Sequence, residues 1–276
     1  MKTTVAILGC GSMGTAILAG MLHKDIAASD VKVTVRRTES SDALAKKYHV
    51  TAFATEYQPN ANSLAVEGSK LVILAVKPAY ITQVIDEIAG VLAEDALVVS
   101  VAAGITTKTM EEHLPKGIAV VRAMPNTPAL IGRGVTGISA GSRATTEQIA
   151  SVEELFATVG KSLVIPEEQI DALSTISGSG PAYVFYFIEE FIKTAVKHGF
   201  SQEQAYLMVS ETFQGAAELL VKSQGDPAEL RRQVTSPNGT TMKAVAVLEN
   251  GNLHELFFEA TSAASARAIE IAQEMK

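Results

Sequence analysis

Two short stretches of this 276-residue chain carry residue types that can do chemistry. The first is GCGSMG, residues 9–14, which places Gly9, Gly11 and Gly14 at G-x-G-x-x-G spacing directly after an apolar run. Gly9 permits a tight turn. Gly11 lets backbone approach a pyrophosphate, which then sits on the following helix N-terminus, and Gly14 lets helix and strand pack closely. With Leu8, Cys10, Ser12 and Met13 they form a candidate cofactor-binding loop. The bland alternative is a glycine-rich structural turn, but the strand before it and the helix after it are the context a dinucleotide requires. The second stretch is VTSPNGTTMKAV, residues 234–245. A helix start offers free N–H groups and partial positive charge. Ser236 and Thr240 add hydroxyls, Gly239 leaves the backbone open to close approach, and Thr241 falls in the first turn. Together they would make a pocket for a carboxylate, with one hydroxyl spare for a neutral or basic nitrogen. Plain N-capping is the competing explanation.

Further residues fit around the first stretch. The second expected strand ends VRRTES, where an NAD-specific fold usually carries Asp or Glu for the ribose 2′-hydroxyl. Arg36, Arg37 and Thr38 stand there instead. A guanidinium pairs with a 2′-phosphate that a carboxylate would repel. The reading is NADPH in preference to NADH, with NADH possible; the alternative is that both arginines are solvated surface charge. AVKP (Ala75, Val76, Lys77, Pro78) ends an apolar strand at the sheet edge where such folds bind cofactors. Lys77 is either a general acid or a backbone spacer, and the spacer is favoured. AMPNTPALIG, residues 123–132, is a candidate wall for the nicotinamide ring. SGSGPAY, residues 177–183, opens a helix, with Pro181 as ordinary first-turn chemistry. The five histidines fall at helix ends or loops, and no metal-ligand spacing occurs, so no metal is expected.

The elements that must position these residues change character along the chain. Strands are expected at residues 3–9, 31–36, 50–53, 70–76, 96–102 and 118–124, with helices at 12–24, 40–48 and 79–92. This alternation implies a parallel, doubly wound α/β sheet of Rossmann type. Residues 134–140, a helix after Thr146 and residues 161–166 extend it. Beyond Pro166 the period is helical throughout: 182–199, 201–222, 227–234, 240–249 and 253–275. The expected division is a nucleotide-binding domain at 1–165 and an all-helical domain at 166–276. Ala260, Ala263, Ala264, Ala266 and Ala268 of the last helix would suit a dimer seam or an internal packing face equally.

Composition bounds the rest. Mean hydropathy is +0.20 and 47% of residues are apolar, yet no stretch reaches membrane-spanning length without polar interruption. The surplus is assigned to a subunit interface. A net charge of −7 argues against nucleic acid or an anionic membrane as partner. The single cysteine, Cys10, excludes an internal disulfide and fits a reducing, cytoplasmic setting. Within the glycine loop Cys10 reads as a small apolar filler.

GCGSMG, AVKP, MPNTP, SGSGPAY and above all LRRQVTSPNGTTMKAVAVLE together resemble the pyrroline-5-carboxylate reductase family, in order and over the whole chain. One departure is Asn238, where the family mostly has glycine. The resemblance implies reduction of (S)-1-pyrroline-5-carboxylate to L-proline with NADPH, the last step of proline biosynthesis. It implies that the Thr241 hydroxyl bonds the ring nitrogen, and that backbone N–H groups around Gly239, Thr240 and Thr241, with Ser236, take the carboxylate. It implies that Asn62 contacts the cofactor ribose. It further implies a homodimer with active sites built from both chains, with room for a ring of dimers. Two rivals remain. A β-hydroxyacid dehydrogenase would want a catalytic lysine in a glycine-containing helix of the second half, a setting that Lys193 and Lys197 lack. A non-catalytic NADP-sensing protein would be expected to lose the threonine pocket.

Overall fold

The computed structural model describes residues 4–24 and 26–274, with side chains described to residue 270. Thr3 of the first expected strand and Met275 of the last expected helix lie outside the described residues. The first part alternates β1 (Val5–Leu8), α1 (Ser12–Leu22), β2 (Val31–Val35), α2 (Thr38–Tyr48), β3 (Thr51–Ala54), α3 (Ala61–Val66), β4 (Leu71–Leu74), α4 (Ile81–Ile88), β5 (Leu97–Ser100), α5 (Thr107–His113) and β6 (Ala119–Met124). β7 (Gly134–Ala140), α6 (Thr146–Phe156) and β8 (Gly160–Val164) follow. The sheet order is β3-β2-β1-β4-β5-β6-β7-β8. The order reverses at β1, so the crevice between the β1 and β4 loops is the expected ligand position of such a sheet.

Both faces of the sheet are covered. Ile7, Val33, Ile73, Val99 and Val121 face one core cluster, and Ala6, Leu8, Val72, Leu74, Val98 and Val120 face the other. Period-two alternation buried on both sides explains why these strands read as continuous apolar runs. One strand departs from the parallel expectation: β7 pairs antiparallel with β6, Val121 opposite Ala140. The β6–β7 connection holds only a short 3-10 turn, Thr127–Ile131. A parallel crossover needs a dozen or more residues, so the chain turns back instead. β8 then returns parallel to β7 across α6.

The later elements are α7 (Ile170–Leu173), a π-helical turn at Ser174–Gly178, α8 (Gly180–Lys197), α9 (Gln202–Ser223), α10 (Pro227–Gln233), α11 (Thr240–Asn250) and α12 (Leu253–Glu274). Two compact units result, one containing the sheet and running to Ser179 with residues from Ser265 on, the other Gly180–Ala264. Within the helical unit the described buried side chains reduce to Ile192, Ala205 and Val209. Phe185, Tyr186, Phe187, Leu207, Phe257 and Phe258 are exposed. Large apolar side chains so exposed on one unit mark a surface suited to an interface. Ala260, Ala263 and Ala266 are exposed as well, which disfavours the internal-packing alternative for that stripe. Among the described residues, no helix is long and apolar enough to cross a membrane.

Candidate active site

The glycine loop leaves β1 at the switch point of the sheet. Gly9 has φ +79°, and a Cβ there would meet the Val76 backbone Cα and N at 2.8 Å. The AVKP turn therefore sits directly on Gly9. A Cβ on Gly11 would find only the Gly9 carbonyl, at 3.9 Å, so the space over Gly11 is open. On Gly14 it would press Ile7 at 3.3 Å and Ala75 at 3.4 Å, the close helix–strand packing foreseen. No side chain caps α1 and no acid lies in its first turn. An open cradle beneath an uncapped helix start fits a dinucleotide pyrophosphate. Cys10 is buried, and burial pushes its thiol up to about 11, which suits a filler and not a nucleophile.

A polar chain, buried at Thr34 and Asn62, holds the loop in place. The Gly9 N–H donates to Thr34 Oγ1 at 3.1 Å, Thr34 Oγ1 donates to Asn62 Oδ1 at 2.8 Å, and Asn62 Nδ2 donates to Glu87 at 2.9 Å. Asn62 is 6% exposed, so most of its amide serves this chain. One amide hydrogen remains for a further acceptor. Arg36, Arg37 and Thr38 emerge, exposed, where β2 meets α2. On Thr38 rests a residue with no local sequence signal: Glu56 Oε1 accepts from Thr38 N at 2.7 Å and Thr38 Oγ1 at 2.9 Å. The Thr38 N–H, then its hydroxyl, hold the Glu56 carboxyl below its ordinary value, and the charges of Arg37 and Arg36 act in the same sense.

The parallel strands bring further loops to the same edge. Lys77 is exposed and caps a 3-10 turn begun by Pro78, which accords with the spacer role. The loop after β5, residues 101–106, emerges between AVKP and MPNTP and joins the candidate lining; Gly104, at φ +75°, was its overlooked turn signal. MPNTP is pinned by Asn126, which donates to the Ser177 carbonyl at 2.9 Å and accepts from Val135 N at 2.8 Å. SGSG thus braces the candidate nicotinamide wall, at a π-helical turn of the kind often found at functional sites.

Arg122 on β6 also escaped sequence reasoning. It is 2% exposed, its Nη2 lies 2.6 Å from Asp171 and its Nη1 3.6 Å from Glu167. Glu167 in turn accepts from Thr107 N and Oγ1 at 2.7 and 2.6 Å. One guanidinium therefore ties β6 to α7 and to the start of α5, although its Nε finds no partner among the described residues. Arg122→Ala is expected to cost about 2–3 kcal/mol in urea denaturation, less than a fully buried pair because Asp171 is half exposed. A loss under about 0.5 kcal/mol would mean the pair contributes nothing.

The second stretch folds as a turn into α11. Ser236 O accepts from Gly239 N at 3.0 Å, and Asn238 adopts φ +61°. A left-handed residue explains why glycine or asparagine suits position 238. Thr106, Thr145, Ser201 and Asp226 each cap the helix that follows with their own side chain. α11 has no such cap. Among the described residues, the hydroxyls of Ser236, Thr240 and Thr241 make no hydrogen bond within the chain, so they do not serve as caps. Thr241 is exposed. The groove between α10 and α11, about 520 Å³, is lined by Arg231, Thr235 and Met242 and does not include these hydroxyls. Lys193 is paired with Glu189 at 2.7 Å and Glu190 at 2.8 Å, which raises its pKa. Lys193 is thus engaged by two carboxylates on its own helix face, an ordinary solvated i,i+3/i,i+4 arrangement.

Known proteins resemble this chain in sequence and in fold. The family model "Pyrroline-5-carboxylate reductase dimerisation" matches residues 167–271, and "NADP oxidoreductase coenzyme F420-dependent" matches residues 4–104. Pyrroline-5-carboxylate reductase of Corynebacterium melassecola is 36% identical over 272 residues, 98% of each chain. That of Pseudomonas aeruginosa is 34% identical over 272 residues, 98% of this chain and 97% of its own. Among solved structures, the Coxiella burnetii pyrroline-5-carboxylate reductase superposes with a TM-score of 0.90 at 35% identity, covering 98% of both chains. The Plasmodium falciparum pyrroline carboxylate reductase, solved with NADP bound, has a TM-score of 0.84 at 26% identity, covering 99% of both.

Proposed function

The chain belongs to the pyrroline-5-carboxylate reductase family, and from that premise we propose that it reduces (S)-1-pyrroline-5-carboxylate to L-proline with NADPH, the last step of proline biosynthesis. The observation that carries the site assignment is the uncapped start of α11 with its three unengaged hydroxyls. Backbone N–H groups at residues 239–241 and the Ser236 hydroxyl receive the substrate carboxylate, the ligand for which a helix N-terminus is suited. The Thr241 hydroxyl holds the ring nitrogen. NADPH, when bound, supplies the hydride. Gly9 and Gly11 with α1 hold its pyrophosphate, Arg36, Arg37 and Thr38 its 2′-phosphate, and Asn62 its ribose, while residues 75–78 and the MPNTP loop bound the nicotinamide. A protonated cyclic imine is already electrophilic, so the protein's task is placement and charge stabilisation.

Residues 1–165 serve the cofactor in this account, and 166–276 serve substrate and dimerisation. A homo-oligomer is supported by the dimerisation family match and by the near-absence of a core in the helical unit. Active sites shared between two chains, and dimers closed into a ring, extend the same reading. A single reduced, buried thiol suits the cytoplasm. The unfolding midpoint in urea should rise with protein concentration, by about 1.4 kcal/mol of apparent stability per tenfold for a dimer. A concentration-independent midpoint would leave the apolar faces without an occupant.

The activity is tested by following NADPH oxidation with pyrroline-5-carboxylate, with a β-keto acid and with neither. Turnover only with the cyclic imine is expected. Turnover with the keto acid would favour the dehydrogenase, and tight NADPH binding without turnover would favour the sensor.

A further inference from the structure

We propose that Glu56 is a specificity-determining residue of the cofactor site, whose carboxylate occupies the 2′-phosphate position when NADPH is absent and receives the ribose 2′-hydroxyl when NADH binds. The inference rests on the assignment of Arg36, Arg37 and Thr38 to the 2′-phosphate. β2 of this chain ends in two arginines and lacks the acid that usually selects NAD. The neighbouring strand delivers one. Backbone pairing of β2 and β3 continues past both strand ends, with Thr55 N donating to Val35 O at 2.9 Å and Glu56 N to Arg36 O at 3.1 Å. The Glu56 backbone is thereby fixed beside Arg36.

Its side chain then reaches the first turn of α2, an 11-residue helix with no side-chain cap from its own N-cap residue. There one carboxylate oxygen takes both the Thr38 amide and the Thr38 hydroxyl. These are the donors a 2′-phosphate needs, and Arg36 and Arg37 flank them on the chain. Two anions repel at this distance and cannot share one pair of donors. NADPH must therefore move the Glu56 side chain aside and forfeit its two charge-assisted hydrogen bonds. NADH carries no competing charge, and its 2′-hydroxyl donates to a carboxylate already in place. Glu56 is exposed and its displacement disturbs no core.

The test measures Kd of the full-length apo protein for NADPH and for NADH by titration calorimetry, in the wild type, Glu56→Gln, Glu56→Ala and Arg36→Ala. Both Glu56 variants should tighten NADPH roughly tenfold, since the two hydrogen bonds forfeited are solvent-exposed and together weigh about as much as one shielded charge-assisted bond, and weaken NADH severalfold. An NADPH-to-NADH Kd ratio within about twofold of wild type in both Glu56 variants overturns the inference. Arg36→Ala should weaken NADPH and spare NADH. If it does so while the Glu56 variants leave the ratio unchanged, the inference alone falls and the 2′-phosphate assignment stands. If Arg36→Ala spares NADPH, that assignment falls and the inference with it.

Discussion

Thr241→Ala is expected to lower kcat roughly 10–100-fold while NADPH Kd stays within about twofold, the weight of one hydrogen bond to a charged group. The threonine stands in the first turn of α11, exposed, and α11 begins without a side-chain cap. Its removal therefore takes no cap and no core contact from the folded chain, and the melting temperature should hardly move. Thr241→Ser, which keeps the hydroxyl, should retain most activity. KM should rise less than kcat falls, because the carboxylate stays held by backbone N–H groups that the substitution leaves intact. Steady-state kinetics with a parallel NADPH titration checks all of these. Unchanged kcat would remove Thr241 from the ring nitrogen.

Gly9→Ala is expected to weaken NADPH at least about 100-fold and to destabilise the fold by about 2–4 kcal/mol. Two costs combine. The residue must hold φ +79°, and its new methyl would lie 2.8 Å from the backbone of Val76. Backbone of a neighbouring loop has no rotamer into which to retreat, so the loop shifts and the pyrophosphate cradle shifts with it. Gly11→Ala separates the effects: its Cβ finds open space at 3.9 Å. It should keep stability and lose cofactor affinity. Calorimetric titration and urea denaturation read both. NADPH affinity within about twofold of wild type in Gly9→Ala would refute the cradle.

The residues that announced themselves in the sequence were those whose constraint is local. Glycine spacing after an apolar strand needs only six neighbours to be recognised, and Gly9, Gly11 and Gly14 meet the contacts their spacing implied. The polar turn before α11 was equally visible, and α11 begins without a side-chain cap. What stayed hidden depends on partners distant in sequence. Arg122 sits in an apolar run and its meaning lies in Asp171 and Glu167, more than forty residues on. Glu56 gains a role only through strand pairing that carries it beside Arg36. The antiparallel β7 was missed because its residues look like any other buried strand; the direction is set by the short connection before it. Helices α3 and α5, of six and seven residues, are too brief for a period to show.

The role proposed for the start of α11 is to hold the substrate carboxylate through its free backbone N–H groups. A crystal structure of the protein with NADP and L-proline bound tests it most directly. The proline carboxylate is expected on the backbone N–H groups of residues 239–241, the Thr241 hydroxyl on the ring nitrogen, and the nicotinamide facing the carbon next to that nitrogen. Proline bound elsewhere, with Thr241 distant from every nicotinamide in the assembly, would contradict it.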